Sequence, residues 1–383
     1  MNLELSEEQE AVRELAEDFV AREITPHVVA WDRAESVDKS IVKKLGALGF
    51  LGLTIPEEYG GSGGDHLAYC LVTEELGRGD SSVRGIVSVS LGLVAKTIAS
   101  WGDEEQKRRW LPRLTAGEAV GCFALTEPGT GSDAGNLSTR AVRDGDDYVI
   151  NGSKMFITNG TWADVVLLFA RTGDVPGHRG VSAFLVPADT PGLTRRTVHG
   201  KLGLRGQATA ELVLEDVRVP AATLLGPEGK GFSLAMSALA KGRMSVAAGC
   251  VGIAQAALDA AVRYAGEREQ FGQPIAGHQL VQELISDISV DVDAARMLTW
   301  RVADLVDRGQ DFATAASTAK LFASEAAVRA ANNALQVFGG YGYIDEYPVG
   351  KLVRDARVMT LYEGTSQIQK LIIGRALTGV SAF

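Results

Sequence analysis

Apolar positions recur at helical spacing through Val12, Leu15, Ala16, Phe19 and Val20, directly after Ser6-Glu7-Glu8-Gln9, which has the form of a capping box. Pro26 predicts the end of that helix. Further helical patterning runs through 41–48, 67–76 and 86–98, and the stretch Glu57–Gly64 between them is turn chemistry. Residues 1–118 therefore read as an all-helical domain. Near Gly121 the period changes. Short β-rich runs at 165–170, 181–186, 193–198 and 210–219 follow one another, and Asp144-Gly145 and Asn151-Gly152 both predict hairpin turns. Residues 119–230 read as a compact β domain, sandwich or barrel. After Pro227 the helical period returns. Ile253, Ala254, Ala257, Leu258 and Ala261 share one face, and Leu280, Leu284, Ile288, Ala295 and Leu298 another. Phe312, Ala316, Ala319, Phe322 and Ala323 mark a third, with Gly309 punctuating one junction. Residues 231–383 predict a close-packed antiparallel four-helix bundle. The fold class is α+β multidomain, in the order helical, β, helical.

Composition narrows the functions rather than the fold. The chain has 383 residues, 46% of them hydrophobic and 22% charged, as in an ordinary globular protein. A net charge of -10 argues against nucleic-acid binding and against a polybasic membrane anchor. Cys70, Cys122 and Cys250 lie far apart without metal-ligand spacing, as do the five histidines, so the expectation is reduced core cysteines and no metal site. No signal peptide is recognisable before the first helix and no apolar run is read as long enough to span a bilayer, which predicts a cytoplasmic protein.

Candidate chemistry sits in loops. In Leu361–Gln369 an acid, Glu363, stands between apolar flanks and directly before Gly364. A partly desolvated carboxylate has the raised pKa of a general base, and the glycine lets a backbone amide approach a ligand closely. For an isolated Glu-Gly pair, capping of a C-terminal helix is the more usual reading. The loop Leu125–Asp133 carries glycines and the hydroxyls of Thr126 and Ser132, a ligand cradle or an ordinary turn; it is not a dinucleotide fingerprint. Phe156-Ile157-Thr158 follows Lys154, read as a strand end, and could flank a planar ring. Arg268 and Phe271 close the first bundle helix, where phosphate pairing and base stacking compete with a simple glycine-closed helix end. Gln336 to Gly342 holds more glycines than one helix cap needs. Arg243, read at the start of the first bundle helix, is either a surface charge or an anion contact.

Together, in this order and across essentially the whole chain, these stretches resemble the acyl-CoA dehydrogenase family, with the short-chain and related bacterial branches nearest. Pro56–Gly61 and Tyr362–Thr365 belong to the same pattern. The resemblance implies FAD as cofactor. It places Phe123, Leu125, Thr126, Gly131 and Ser132 against the flavin ring and pyrophosphate, with Ser132 also near the substrate's pantetheine arm. Phe156, Ile157 and Thr158 flank the isoalloxazine, Phe156 standing where relatives often have Trp. Arg268, Phe271, Gln279, Gln336, Gly339 and Gly340 hold adenosine and pyrophosphate, in the family partly from a neighbouring subunit. Thr365 and Gln367 complete the flavin contacts. On this pattern the protein is a homodimer or homotetramer.

The same resemblance makes Glu363 the base that removes the α-proton of an acyl-CoA while the β-hydride moves to flavin N5, giving a trans-2-enoyl thioester. Arg243, Tyr362 and Gly364 fall at substrate positions, and electron-transfer flavoprotein is the expected acceptor. Gly242 occupies the position where the isovaleryl branch carries its base, which argues against that arrangement. Ala240 departs from the acidic residue many relatives carry, which keeps an acyl-carrier-protein thioester open beside a short- or medium-chain acyl-CoA. A flavin monooxygenase would leave Glu363 without a role, and a non-catalytic scaffold would not need it.

Overall fold

The computed structural model describes residues 4–173, 175 and 177–382. The first helix, α1 (Glu7–Phe19), starts on the expected box: Ser6 Oγ accepts from Gln9 N at 3.2 Å and Gln9 Oε1 from Ser6 N at 3.0 Å. Pro26 does not end it. The helical path widens into a π turn at Val20–Ile24, tightens at Thr25–His27 and resumes as α2 (Val28–Ala34). Pro26 sits in the first turn of the tight segment, where its missing N–H is not required. There follow α3 (Ile41–Ala47), α4 (His66–Gly79), α5 (Ser81–Val87), a π segment Ser88–Ala95, α6 (Lys96–Trp101) and α7 (Glu104–Thr115).

Ser81–Trp101 is one continuous rod, and it and Gly231–Glu267 are both long and apolar enough to cross a membrane, which corrects the sequence reading. The apolar stretch of the first is 94% buried inside the fold and that of the second 72%, so both are core helices.

The middle region carries β1 (Gly121–Ala124), β2 (Arg140–Asp144), β3 (Asp147–Ile157), β4 (Val165–Arg171), β5 (Val181–Pro187), β6 (Leu193–Thr197), β7 (Ala210–Pro220) and β8 (Leu224–Leu225). They pair in the order β6-β7-β3-β2-β4-β5-β8, with β1 parallel to β4. Neither β6 nor β8 closes on the other, so the sheet is not a closed barrel. It curls instead: Ala124, Ile150, Phe184 and Leu212, from strands far apart in that order, share one buried cluster. Asp144-Gly145 makes the expected turn between β2 and β3. Asn151-Gly152 does not turn. The pair lies inside β3 at a register shift against β7, because the Asn151 amide bridges to Asp216, donating to Oδ1 at 3.0 Å and accepting from its N–H at 2.8 Å.

Three long helices dominate the rest: α8 (Gly231–Glu267), α9 (Gln279–Asp307) and α10 (Ala313–Phe338), with the small hairpin β9 (Glu269–Gln270) and β10 (Gln273–Pro274) after α8. The shorter α11 (Val349–Met359) and α12 (Ser366–Thr378) pack on α10. Close packing follows from small side chains. Ala316, Ala319, Ala323, Ala327, Ala330 and Ala334 are fully buried along α10. A Cβ on Gly77 of α4 would press on Gly249 O of α8 at 2.7 Å. Helices of the first and last regions thus share one core, and the connection between α11 and α12 opens against it.

Candidate active site

Glu363 and Gly364 occupy the α11–α12 connection with φ of 51° and 90°. Two consecutive left-handed residues, one with a Cβ, cost on the order of 1–2 kcal/mol and persist only where the surroundings hold them. Gln369, fully buried, donates from Nε2 to Glu363 O at 3.2 Å and Gly364 O at 3.0 Å. Lys320 Nζ, reaching from α10, donates to Gly364 O at 2.9 Å. The cap of α12 is Thr365, whose hydroxyl accepts from Ile368 N at 3.2 Å, so Glu363 is free of that duty. Its Oε2 is buried and has no partner among the described residues. Burial pushes the carboxyl's pKa up, opposed by the nearby charges of Arg84, Lys320 and Arg243. The carboxylate rests on α8 where that helix has no side chain: a Cβ on Gly242 would collide with Oε2 and stand 2.9 Å from Leu93. Among the described residues the Glu363 N–H donates to no acceptor in the protein.

Arg243 is neither at a helix start nor on the surface. It lies well inside α8, only 8% exposed, with Nη1 3.5 Å from Ser317 Oγ and, among the described residues, no partner for Nε. Burial lowers its pKa, while the Glu363 charge acts the other way. Beside the base, Tyr362 Oη accepts from Arg84 Nη2 at 2.5 Å and donates to Met359 Sδ at 2.8 Å.

The loop after β1 is pinned from beneath. Lys154 does not end a strand; it is inside β3, fully buried, donating to Leu125 O at 3.1 Å and Glu127 Oε1 at 2.9 Å. Glu127 also accepts from the backbone N–H groups of Ser138 and Thr139 at 2.6 and 2.9 Å. Burial pulls the Glu127 carboxyl up, but Lys154 and the Ser138 and Thr139 donors outweigh it and hold it at about 2. With its base fixed, the loop presents Gly131 and Ser132 exposed, and a Cβ on Gly131 would meet nothing. Phe123 packs on Phe169 at 4.8 Å, and Thr126 is half-buried. At the end of β3, Phe156 adopts φ 59° and stays 64% exposed, an apolar wall that the chain itself leaves uncovered. Ile157 is buried behind it and Thr158 donates to Gln207 Oε1 at 3.3 Å.

A second group gathers on the bundle. Tyr264, Arg268, Phe338, Gly339, Gly340 and Tyr341 line a concavity, with the Arg268 guanidinium 5.4 Å over the Tyr341 ring. Phe271, at the tip of the β9–β10 hairpin, is 93% exposed, and Gln279 at the start of α9 and Gln336 near the end of α10 are exposed too. Among the described residues no hydrogen bond, ion pair or ring contact joins this group to the cradle around Phe156. Thr365 and Gln367 stay beside the base, the first as a helix cap and the second exposed. An exposed aromatic wall, a glycine-opened loop and a cation-bearing concavity with open Gly339 and Gly340 fit a flavin ring, its pyrophosphate and an adenosine.

Sequence reasoning missed Arg84, Lys320 and Gln369. The available signal was a lone cation inside an apolar helical run: Arg84 just after Val83, and Lys320 on an alanine-rich face.

The helical–β–helical scaffold thus carries a desolvated, unpartnered carboxylate and, at the end of β3, an uncovered aromatic wall, two features that a flavoenzyme acting on carbon acids requires. The models of the acyl-CoA dehydrogenase C-terminal, N-terminal and middle domains match residues 229–378, 6–118 and 122–217. A probable acyl-CoA dehydrogenase of Bacillus subtilis is 49% identical over 98% of this chain and all of that protein. Human mitochondrial short-chain specific acyl-CoA dehydrogenase is 44% identical over 97% of this chain and 90% of its own length. The solved butyryl-CoA dehydrogenase of Megasphaera elsdenii superposes with a TM-score of 0.96 at 41% identity, covering 98% of this chain and all of that one. The chain belongs to the acyl-CoA dehydrogenase family.

Proposed function

We propose that this chain is an FAD-dependent dehydrogenase of short- or medium-chain acyl-CoA thioesters. The observation that carries the reading is Glu363 Oε2: buried, unpartnered and raised in pKa, on a residue held in a left-handed turn. Such a carboxylate is a base without a proton source of its own, poised for the α-proton of a thioester. The Glu363 N–H, with no acceptor among the described residues, would donate to the thioester carbonyl and stabilise the enolate charge that develops as the proton leaves. Lys320 and Gln369 fix both carbonyls of the turn, so that N–H and carboxylate keep their relative positions.

FAD, when bound, supplies the acceptor for the hydride that leaves the β-carbon. Phe123, Leu125, Thr126, Gly131, Ser132, Phe156, Ile157 and Thr158 would hold its ring side and Thr365 and Gln367 would complete it. Arg268, Phe271, Gln279, Gln336, Gly339 and Gly340 would hold its adenosine side. Among the described residues that second group makes no hydrogen bond, ion pair or ring contact with the cradle of its own chain, which supports a homodimer or homotetramer in which one protomer serves the cofactor of its partner. Electron-transfer flavoprotein is the proposed electron acceptor and the cytoplasm the proposed location.

A second reading, an acyl-carrier-protein thioester as substrate, is favoured only by Ala240, which offers no polar group to coenzyme A. Anaerobic titration of the holoenzyme with butyryl-CoA tests the first reading: bleaching of the flavin band is expected. Bleaching by a carrier-protein thioester and by no CoA ester would select the second.

A further inference from the structure

The loop between β6 and β7 is held from several sides. Leu204 takes φ 47°, a strained setting for a residue with a Cβ, and its N–H donates to Asp355 Oδ1 of α11 at 2.7 Å. Arg205 Nη2 pairs at 2.6 Å with Glu35, the residue that follows α2. Gly206 O accepts from Val37 N at 3.1 Å, and a Cβ on Gly206 would stand 2.9 Å from the Val37 side chain. Lys201 Nζ donates to Val198 O at 3.2 Å and to Gln207 O at 3.1 Å, which closes the loop on itself. Strain of this kind persists only where the surroundings over-determine it.

What the loop delivers is the Gln207 side chain, which is 7% exposed. Its Oε1 receives two hydroxyls, Thr158 at 3.3 Å and Thr209 at 3.4 Å. A carboxamide oxygen has two lone pairs and no proton, so both threonines give theirs. The other end of the amide lies on α5 where that helix has no side chain: a Cβ on Gly85 would collide with Gln207 Nε2 and stand 3.8 Å from Thr158 Cγ2. Thr158 in turn is two residues from the uncovered Phe156 ring at the end of β3. A threonine hydroxyl ordinarily both gives and accepts. With its one proton spent on Gln207, Thr158 offers a ring on that wall only lone pairs.

We propose that Gln207 is a positioning residue that makes Thr158 an acceptor-only group at the flavin's edge and so favours the reduced over the oxidised cofactor. The proposal rests on the FAD-binding reading above. The redox-active edge of an oxidised isoalloxazine carries acceptors, and lone pairs facing them are unfavourable. Two-electron reduction turns one of those nitrogens into an N–H donor, which the Thr158 oxygen can accept. The two electrons and that hydrogen come from the β-carbon of the thioester, and the α-proton goes to Glu363. Gln207 acts at one remove from the ring, by setting which way a single proton points.

The test is the midpoint potential of the flavin in the holoenzyme, read by equilibrium with a reference dye and without any thioester. Gln207→Met has similar length and no oxygen, so it frees the Thr158 proton to turn towards the ring. At a fixed potential its ratio of reduced to oxidised flavin should fall about tenfold, a shift of ~30 mV to lower potential for a two-electron couple. Gly85→Ala, which pushes the amide off Thr158, should move the potential the same way. Thr158→Val should lower it too, and Gln207→Met added to Thr158→Val should change nothing further, a coupling that a merely structural glutamine would not show. An unchanged or raised potential in Gln207→Met, or shifts that simply add in the double variant, would overturn the proposal. Should Gln207→Met fail to retain FAD, the potential of Gly85→Ala decides alone. An enzyme that shows the shift but turns over no thioester would keep Gln207 and sink the dehydrogenase reading; a chain that takes up no FAD would sink both.

Discussion

Lys320 Nζ donates to Gly364 O at 2.9 Å, across the space between α10 and the α11–α12 connection, and its side chain is fully buried. Burial lowers the lysine's pKa to about 8, against the pull of neighbouring Cys250 and Glu363. The contact does two things: it fixes the glycine carbonyl that follows the base, and it places a positive charge near Glu363. Lys320→Met should therefore loosen the turn and raise the Glu363 pKa further. We expect kcat to fall roughly tenfold, the scale of a misplaced catalytic group, and the acid limb of the kcat/KM profile to move to higher pH. An unchanged acid limb would show that the charge of Lys320 does not reach the base.

The contact between Gly242 and Glu363 gives a sharper prediction. A single added Cβ at position 242 collides with Oε2, and Leu93 at 2.9 Å blocks retreat on that side. Gly242→Ala should displace the carboxylate and cut kcat by about 10-fold or more while flavin content stays normal. Glu363→Gln removes the proton acceptor itself, with an expected loss of roughly 10²-fold or more and FAD retained. Rapid-mixing measurement of flavin bleaching checks both, and near-native bleaching in Glu363→Gln would place the base elsewhere.

Periodicity carried the helical–β–helical order because burial of one helix face or one strand face leaves a direct trace in the sequence. Single residues departed from it where a tertiary partner decided the outcome. Asn151-Gly152 carries a turn signal, yet Asp216 on the neighbouring strand satisfies the Asn amide and the strand runs on. Pro26 carries a stop signal, yet the chain tightens around it and stays helical. Glu363 was legible as a base only through the family pattern, since a lone acid before glycine also suits a helix cap. For Arg84 and Lys320 the sequence offered only a lone cation in an apolar helical run, and for Gln369 nothing. The bonds that tie them to the site, Lys320 to Gly364 and Arg84 to Tyr362, reach 44 and 278 positions along the chain, and no local spacing encodes such bonds.

Phe271 stands at φ 54° on the hairpin tip, edge-on to the His278 ring at 5.8 Å, with 93% of its surface exposed. If a partner protomer's cofactor covers it, Phe271→Ala should weaken FAD retention about tenfold, the scale of one lost aromatic contact. The folded monomer should keep its melting temperature in the apo form. Flavin content after dialysis, together with sedimentation analysis of the oligomer, checks this. Full FAD retention in the variant would remove Phe271 from the cofactor site.

Lys96 gives a stability prediction with a definite sign. Its ammonium sits 4.2 Å over the Tyr69 ring, and among the described residues no carboxylate pairs with it. Burial, with Lys241 adding to it, lowers its pKa from 10.5 to about 7. The unfolded chain therefore binds more protons at this residue between those two values. Its contribution to folding stability rises with pH through that window, and the penalty is fully present below pH 7. Lys96→Met keeps the length and apolar stem and removes the charge, at the cost of the ring contact. The variant's melting temperature relative to the native chain should be higher near pH 6 than near pH 10, by on the order of 1–3 °C. A difference that does not change between those two conditions would mean that Lys96 is not buried as a cation, and that water or a bound anion reaches it in solution.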